Sequence, residues 1–342
     1  MNKLVQNICN YLVVYFGVFI LLILIKPYLL KFVSSRENFE TLYLRGYPYN
    51  EKDSMSSQQL LNSKAELCEK PEDESTIPDS NGADMNNTAD QPLIKRFNFK
   101  KDKGIGERAR LGLLVLESDQ TIEEDFRLLT NFPGVAIYHA RLANDVIVTP
   151  KTLSNMEKEL PKAAKLLPKY FNLKAIGYGC TSAATIIGEE KVESIIEKIH
   201  PNTPSTNPLT AAKVALKKLG VRRLGLVTPY TPDVTQALQK KFTEAGLPVT
   251  IVGSYYEESD LNVGKIDESS ILKSTISVGQ SKDCDGIFIS CTALRATNII
   301  KRAEQVLQKP VTGSNHALAW HLLRLANVND QSPNFGRLFS EF

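Results

Sequence analysis

The sequence predicts an α/β protein with two pseudo-symmetric Rossmann-like domains, each built on a parallel sheet, and an active-site cleft between them. An N-terminal membrane helix and a disordered tether precede these domains. Three observations support this prediction. After residue 108, short β-rich runs alternate with helical periods. A set of motifs appears twice in that region, and the residues before it show no such alternation.

The first 33 residues form a hydrophobic segment. Apolar residues dominate positions 11–30, and roughly 20 residues are what a membrane-crossing helix needs. More basic residues lie at the downstream end of this stretch than before it, so the positive-inside rule places the rest of the chain in the cytoplasm. We expect a membrane anchor with a cytoplasmic catalytic region. The alternatives are a cytoplasmic protein, or a secreted one if residues 1–35 are a signal peptide.

Residues 34–104 are predicted to be a disordered linker, because polar residues dominate and no periodicity is sustained. The net charge of +3 is too small to indicate a nucleic-acid partner. The five cysteines are widely spaced, and they show neither the pattern of a disulfide framework nor the spacing of a zinc site. We therefore expect free thiols in a reducing compartment and no structural metal.

Beyond the linker, the runs rich in β-branched and aliphatic residues predict six strands. They are residues 111–116, 135–142, 173–177, 224–228, 249–252 and 286–290. Helical periods over 209–219 and 234–245 stop at Gly220 and Gly246, where a helix C-cap favours glycine. This organisation predicts a first α/β domain of residues 105–208 plus 312–330, and a second of residues 209–311.

An internal repeat is the most informative pattern in the sequence. The strand at 110–115 returns at 223–227, with Leu111 and Leu224 separated by 113 residues. An apolar run ending in Cys180-Thr181 likewise returns as a run ending in Cys291-Thr292, with the cysteines 111 residues apart. The matching offsets indicate two copies of one design, each with a strand that ends in Cys-Thr.

The position of these cysteines favours a chemical role. Ligands of open parallel sheets bind beyond the carboxyl ends of the strands, where the following helices begin. A thiol at such a junction is favoured as thiolate by the helix N-terminus, and we expect a helix after each Cys-Thr pair. A buried structural cysteine is the alternative for any single thiol. That alternative fits Cys9, Cys68 and Cys284 better than the repeated pair.

A resemblance to a known family rests on motifs in a fixed order. These are residues 110–113, 118–126, 179–182, 219–223 with 227–230, and 290–292. In combination they resemble the aspartate/glutamate racemase superfamily over residues 108–327. Within it, the branch of maleate cis-trans isomerases, arylmalonate decarboxylases and ectoine-utilisation A-type proteins is the most similar.

The resemblance implies catalysis without metal, flavin or nicotinamide, so no cofactor is expected. In racemase-type members, one thiolate removes a proton beside a carboxylate and the opposite thiol protonates the other face. In isomerase-type members, the first cysteine adds to a cis double bond, the C–C bond rotates, and the thiolate leaves. Both routes pass through an enediolate-like species that needs hydrogen-bond donors. The resemblance assigns catalysis to Cys180 and Cys291, and it assigns substrate binding to Asp119, Thr181, Ser182, Tyr230, Asn262 and Thr292.

Two residues depart from the patterns of individual members. Decarboxylase members carry only the second cysteine, so Cys180 argues against that activity. Maleate isomerases carry asparagine where this chain has Asp119, and a further negative charge beside a dicarboxylate disfavours binding. These departures favour the ectoine-utilisation type, whose substrates are expected to carry an amine.

The functional prediction is an isomerase or racemase acting on a small carboxylate, either amino-acid-derived or a dicarboxylate, through two facing cysteines. The alternative is a membrane-tethered protein that binds or senses a carboxylate without turnover. The expected partners are the small carboxylate and, through the N-terminal helix, a membrane. A homo-oligomer is left open.

Overall fold

The structure, a computed structural model, describes residues 96–342. The predicted membrane segment and most of the predicted linker lie outside the described residues and stay predictions. Residues 96–104 are exposed and have neither helix nor strand. Within residues 96–342, no helix combines the length and the apolar character that crossing a membrane requires.

The first half of the described chain is built on a parallel sheet. Its strands are β1 (Ala109–Leu116), β2 (Val135–Leu142), β3 (Ala175–Gly179) and β4 (Ser205–Thr206), in the spatial order β2-β1-β3-β4. Strand β1 is apolar over almost its whole length because parallel neighbours and helices cover it on all sides. The helices of this half are α1 (Ile122–Leu129), α2 (Pro150–Asn155), α3 (Leu160–Ala164), α4 (Thr181–Ile187) and α5 (Glu189–Glu197).

The second half repeats this arrangement. Its strands are β5 (Leu224–Thr228), β6 (Val249–Ser254), β7 (Gly286–Ile289) and β8 (Val311–Gly313), in the equivalent order β6-β5-β7-β8. Its helices are α6 (Pro208–Lys218), α7 (Pro232–Glu244), α8 (Asp260–Val263), α9 (Glu268–Gly279) and α10 (Ile300–Leu307). The chain ends with α11 (Ser314–Leu325), which packs against β3 and α6, and α12 (Arg337–Glu341).

Local sequence explains where the helices start and stop. Asn207 and Asp267 are the N-caps of α6 and α9, and their side chains accept backbone N–H groups of the first turn. Gly220 and Gly246 follow the ends of α6 and α7 with φ of +75° and +78°, the left-handed conformation that glycine adopts without strain. Both predicted glycine stops are therefore confirmed.

The prediction of an α/β fold with parallel sheets is confirmed, and the register of the sheets reproduces the internal repeat. Leu111 pairs with Ala175 in the first sheet, and Leu224 pairs with Gly286 in the second. The sequence missed β4 and β8, since strands of two and three residues are too short to show periodicity. The predicted domain boundaries stay predictions.

Candidate active site

The carboxyl ends of β3 and β7 meet at one cavity, which we call the thiol cavity. Cys180 follows β3 directly, and Cys291 follows β7 after one residue. The predicted site residues that line the cavity are Cys180, Thr181, Ser182, Tyr230, Cys291 and Thr292. Its free volume is about 10 Å³, which is room for the centre of roughly one water molecule. In this form the cavity is therefore closed around its polar groups.

Cys180 is held at the start of α4. It is the N-cap of this helix, and its Sγ accepts the backbone N–H of Ala183 at 3.4 Å and lies 3.6 Å from the Ser182 Oγ. The preceding residue must be small, because a Cβ on Gly179 would lie 2.9 Å from the Leu114 carbonyl oxygen. Donors aimed at the sulfur favour thiolate over thiol at this position.

Cys291 is held differently. Its φ of +108° is a conformation that side chains rarely adopt, and strain of this kind persists only where surrounding contacts impose it. One such contact is the bond from its backbone N–H to the Ser314 Oγ, at 3.0 Å. The helix expected after Thr292 is present but starts late: a 3₁₀ turn begins at Thr297 and α10 at Ile300. Cys291 therefore has no helix N-terminus directly behind it.

Burial dominates the acidity of both thiols. It raises the pKa of Cys180 to about 12 and raises the pKa of Cys291 well above its ordinary value. The negative charges of Asp260 and Asp119 raise both pKa values further. The N–H of Ala183 and the Ser182 hydroxyl oppose the shift at Cys180, whereas the N–H of Ala293 and the Tyr230 hydroxyl oppose it at Cys291. The two thiols are therefore held by different donors.

A chain of hydrogen bonds joins the two halves behind the thiols. The Ser314 Oγ lies 2.8 Å from the Thr181 Oγ1 and accepts the N–H of Cys291. If the Ser314 hydroxyl donates to Thr181, the Thr181 hydroxyl hydrogen is free to point into the cavity. The Thr292 hydroxyl lies 3.4 Å from the Gly179 carbonyl, and hydrogen bonding by the same side chain opposes the rise in the pKa of Asp119.

The structure does not bring two predicted binding residues into the cavity. Asp119 is buried beside it: its Oδ1 accepts the N–H groups of Thr121 and Ile122, and its Oδ2 has no partner among the described residues. Burial raises the pKa of Asp119. Asn262 is exposed and donates to the Glu257 carboxylate at 3.4 Å. Neither residue lines the cavity, so the expected substrate contact is not supported for either.

Sequence reasoning missed Asp260, which does line the cavity. It is 7% exposed, and burial raises its pKa to about 6. Its Oδ2 accepts the Ser118 hydroxyl at 2.9 Å, and Asn144 in turn orients Ser118 by bonding both its N–H and its Oγ. No periodicity marks this short loop in the sequence, so a single sequence carries no signal for Asp260. The rest of the wall consists of polar residues, Asn144, Asp145 and Thr152, and of apolar ones, Leu116, Val148, Leu153 and Met156.

Two loops from opposite halves close over the cavity. Ile147 and Ser259 form an antiparallel bridge, the Val148 N–H donates to the Glu258 carbonyl at 2.8 Å, and the Asp260 N–H donates to the Val146 carbonyl at 2.9 Å. Because the space is smaller than a small organic acid, we expect this cover to move apart when a substrate enters.

A model of the family described as arylmalonate decarboxylase matches residues 132–339, more than half of the chain. The chain belongs to the arylmalonate decarboxylase family. The predicted resemblance to the superfamily branch of arylmalonate decarboxylases and maleate isomerases is thereby confirmed.

Relatives within and around the arylmalonate decarboxylase family carry two kinds of activity in their names. The arylmalonate decarboxylase of Bordetella bronchiseptica is 32% identical over 140 residues, which are 40% of this chain and 58% of that protein, less than two thirds of its length. The maleate isomerase of Pseudomonas putida S16 superposes with a TM-score of 0.63 at 23% identity, over 68% of this chain and 98% of the other.

A second structure in this group bears on covalent chemistry. It is a Nocardia farcinica maleate cis-trans isomerase variant with a covalently bound succinylcysteine intermediate, with a TM-score of 0.61 at 23% identity. It covers 68% of this chain and 99% of its own. At this level of identity these structures establish the fold. The comparisons give no support to the expected similarity to ectoine-utilisation proteins.

The arrangement in this member of the arylmalonate decarboxylase family combines two thiols with anion donors. Thiols are a residue type that can transfer protons or act as nucleophiles. The first N–H groups of α4, on Thr181 and Ser182, have no acceptor within the helix and no other partner among the described hydrogen bonds. Together with the hydroxyls of Thr181, Ser182 and Tyr230, they are suited to hold a carboxylate that gains charge during reaction.

Proposed function

We propose that this chain is a cofactor-independent isomerase or racemase of a small carboxylate, with Cys180 and Cys291 as its catalytic residues. The observation that supports the proposal is that two thiols at equivalent strand ends line one closed cavity. Between them lie hydroxyl and N–H donors for an anion. The maleate isomerases among the similar structures favour the isomerase class, while the decarboxylase relative makes a lyase the competing reaction type.

In the racemase route, Cys180, whose sulfur accepts the N–H of Ala183, reacts as thiolate. It takes the proton from the carbon beside the substrate carboxylate, and the C–H electron pair moves into the carboxylate to form an enediolate. The Cys291 thiol then gives its proton to the opposite face of that carbon. The cycle leaves a Cys180 thiol and a Cys291 thiolate, which proton exchange with solvent restores.

In the isomerase route, the Cys180 thiolate adds to the double bond. A C–S bond forms and the π electrons move into the neighbouring carboxylate, leaving a C–C single bond that can rotate. The C–S bond then breaks, its electron pair returns to sulfur, and the trans double bond forms. The succinylcysteine in the Nocardia farcinica isomerase supports a covalent bond to cysteine in that protein.

Both routes need the same stabilisation of the enediolate. Donors that are already oriented stabilise developing charge without reorganisation. The Tyr230 hydroxyl is suited to this role because its ring is buried and its backbone is tied down by Ser254 and Thr235. On the opposite side, Thr181 and Ser182 present hydroxyls and free N–H groups at the start of α4.

The proposal is tested with the full-length chain and a panel of small carboxylates in deuterium oxide. Loss of the α-hydrogen is followed by NMR, double-bond isomerisation by ultraviolet absorbance, and carbon dioxide release in parallel. We expect Cys180→Ser and Cys291→Ser each to lower turnover by about a hundredfold or more. Cys284→Ser is the matched control, because Cys284 is buried but bonds only to backbone and Lys309 outside the cavity.

The outcomes separate the competing functions. Turnover that survives in both Cys180→Ser and Cys291→Ser contradicts the proposal. Carbon dioxide release that needs Cys291 but not Cys180 assigns decarboxylation instead. Tight carboxylate binding without turnover across the panel favours the binding or sensing protein.

We also propose that residues 1–33 tether the enzyme to a membrane, with the catalytic region in the cytoplasm. The apolar run at positions 11–30 and the basic residues at its downstream end support this placement. Fractionation of cells expressing the chain with and without residues 1–33 tests it. Membrane recovery that does not depend on this segment contradicts the tether.

A further inference from the structure

Asp260 presents an unpaired carboxylate oxygen to the thiol cavity. Its Oδ2 accepts the Ser118 hydroxyl, and no group among residues 96–342 donates a hydrogen bond to its Oδ1. A side chain that is 93% buried seldom leaves a charged acceptor unsatisfied, because the lost hydration is costly. Because Asp260 lines the cavity and its Oδ1 is not sealed in the core, a ligand in the cavity can supply the donor for this oxygen.

Nothing in the cavity wall balances this charge. The described residues that line the cavity include no Lys, Arg or His. Arg141 does not line the cavity: it donates to the backbone carbonyl of Asp119 and forms an ion pair with Glu123. Asp145 is a second acidic residue in the cavity wall, and Asp119, beside the cavity, adds to the negative potential at the thiols. The donors of the site can hold one carboxylate, and the negative charge around the cavity disfavours the binding of a second one.

We infer that the substrate carries one carboxylate and one ammonium group, with the ammonium donating to the free Oδ1 of Asp260. The inference rests on the function proposed above and names the substrate class of the same site. The carboxylate binds at the N–H and hydroxyl donors of Thr181, Ser182 and Tyr230. The ligand class is thus a small zwitterionic amino acid, and a dicarboxylate without an amine is disfavoured.

The hydrogen bonds around Asp260 hold the acceptor in place for such a ligand. Asn144 bonds Ser118 through both its amide oxygen and its amide nitrogen, at 3.1 and 2.9 Å. Ser118 has its hydroxyl directed to the Oδ2, so the Oδ1 keeps a defined orientation. An ammonium fits this oxygen because it is a donor with no acceptor of its own.

The same pairing helps the thiols to react. The charge of Asp260 raises the pKa of both Cys180 and Cys291 in the empty cavity. A bound ammonium offsets that charge, so the thiolate becomes easier to form when the correct substrate is present. A dicarboxylate has the opposite effect, since it adds a further negative charge beside the thiols.

The experiment compares ligands matched except for the amine, using the full-length chain at pH 7.5. Alanine is paired with propionate, aspartate with succinate, and maleate is added as the amine-free cis-dicarboxylate. Dissociation constants come from calorimetry and turnover from deuterium exchange. We expect each amino acid to bind about ten- to a hundredfold more tightly than its amine-free partner, the range for a buried charge-assisted hydrogen bond.

Two variants separate ammonium binding from a general effect of charge. Asp260→Asn removes the anionic partner. We expect the ratio of the two dissociation constants in each ligand pair to fall to about one, and maleate to bind more tightly. A misfolded variant would not gain affinity for maleate, so this measurement separates the loss of the charge from a loss of structure. Asp119→Asn removes a nearby charge outside the cavity wall, and we expect it to leave the preference for the amine in place.

The results also distinguish failure of this inference from failure of the proposed function. An amine preference that Asp260→Asn removes, without turnover of any ligand, supports the inference and overturns the enzyme. Turnover of amine-free acids with no amine preference supports the enzyme and overturns the inference. Amine preference that persists in Asp260→Asn also overturns it, because the ammonium then binds elsewhere.

Discussion

Ser314 is the residue whose removal tests most directly how the two halves hold the site together. It begins α11 directly after β8 and is 1% exposed. Its hydroxyl oxygen accepts the N–H of Cys291 and lies in hydrogen-bond contact with Thr181, one residue after the other cysteine. The change Ser314→Ala removes this oxygen and keeps the Cβ, so packing is barely altered.

The cost follows from the two contacts that are lost. The N–H of Cys291 becomes a buried donor without a partner, which costs about 1–3 kcal/mol, and the neutral bond to Thr181 adds about 0.5–1.5 kcal/mol. We therefore expect the free energy of unfolding to fall by about 2–4 kcal/mol. Because the strained φ of Cys291 loses one restraint, we also expect kcat to fall about tenfold or more.

Thermal or denaturant unfolding measures the first effect, and steady-state kinetics on the folded protein measure the second. Thr275→Val is the matched control, since Thr275 is fully buried and its hydroxyl donates only to the Ile271 carbonyl in α9, outside the cavity. A Ser314→Ala variant that unfolds like this control and keeps its kcat would refute the reasoning. Lost stability with an unchanged kcat reduces Ser314 to a structural role.

Three further predictions concern other parts of the site and the core. Burial raises the pKa of Asp125 in α1 to about 7, so its contribution to stability is present below its ordinary pKa of 3.8 and is lost as pH rises to about 7. Between pH 5 and pH 8, the free energy of unfolding of Asp125→Asn should rise by about 2–3 kcal/mol relative to that of the wild type. Melting curves measure this difference, and a difference that does not change with pH would contradict the raised pKa. The pair Ile147→Cys and Ser259→Cys should form a disulfide across the cover, because bridged antiparallel residues lie within disulfide reach. Turnover should stop on oxidation and return with reductant, whereas either single variant should not respond. The buried thiol of Cys180, with its pKa raised to about 12, stabilises the fold below the ordinary thiol pKa of 9.0, and this contribution is lost between about pH 9 and pH 12. From pH 8 to pH 10, the free energy of unfolding of the wild type should fall by about 1 kcal/mol more than that of Cys180→Ser.

The sequence predicted the scaffold well because buried parallel strands leave a strong imprint. A strand covered on both faces is a continuous apolar run, and β1 and β5 repeat that run with nearly the same residues. The Cys-Thr pairs at the ends of β3 and β7 were visible for the same reason. Their meeting at one cavity follows from the equivalent strand orders of the two sheets.

The parts that the sequence did not predict depend on short loops. Asn262 was expected at the site, but the residue in the cavity wall is Asp260, two positions earlier on the four-residue helix α8. Residues two apart on a helix do not share a face, so an error of two positions replaces a buried side chain by an exposed one. Ser314 follows β8, which the sequence did not predict. Ligands bind at the carboxyl ends of parallel strands, and this rule can be applied only to strands that have been predicted.

The pseudo-symmetry of the scaffold explains why the two thiols face one cavity, and its local failures explain why they are not equivalent. Cys180 begins a helix and accepts an N–H from its first turn, as the repeat predicted. Cys291 begins a loop instead, at a positive φ restrained by Ser314. A racemase that handled both faces alike would gain from two equal thiols. Differently held thiols, with Asp260 on one wall, instead favour a fixed direction of ligand binding in the cavity.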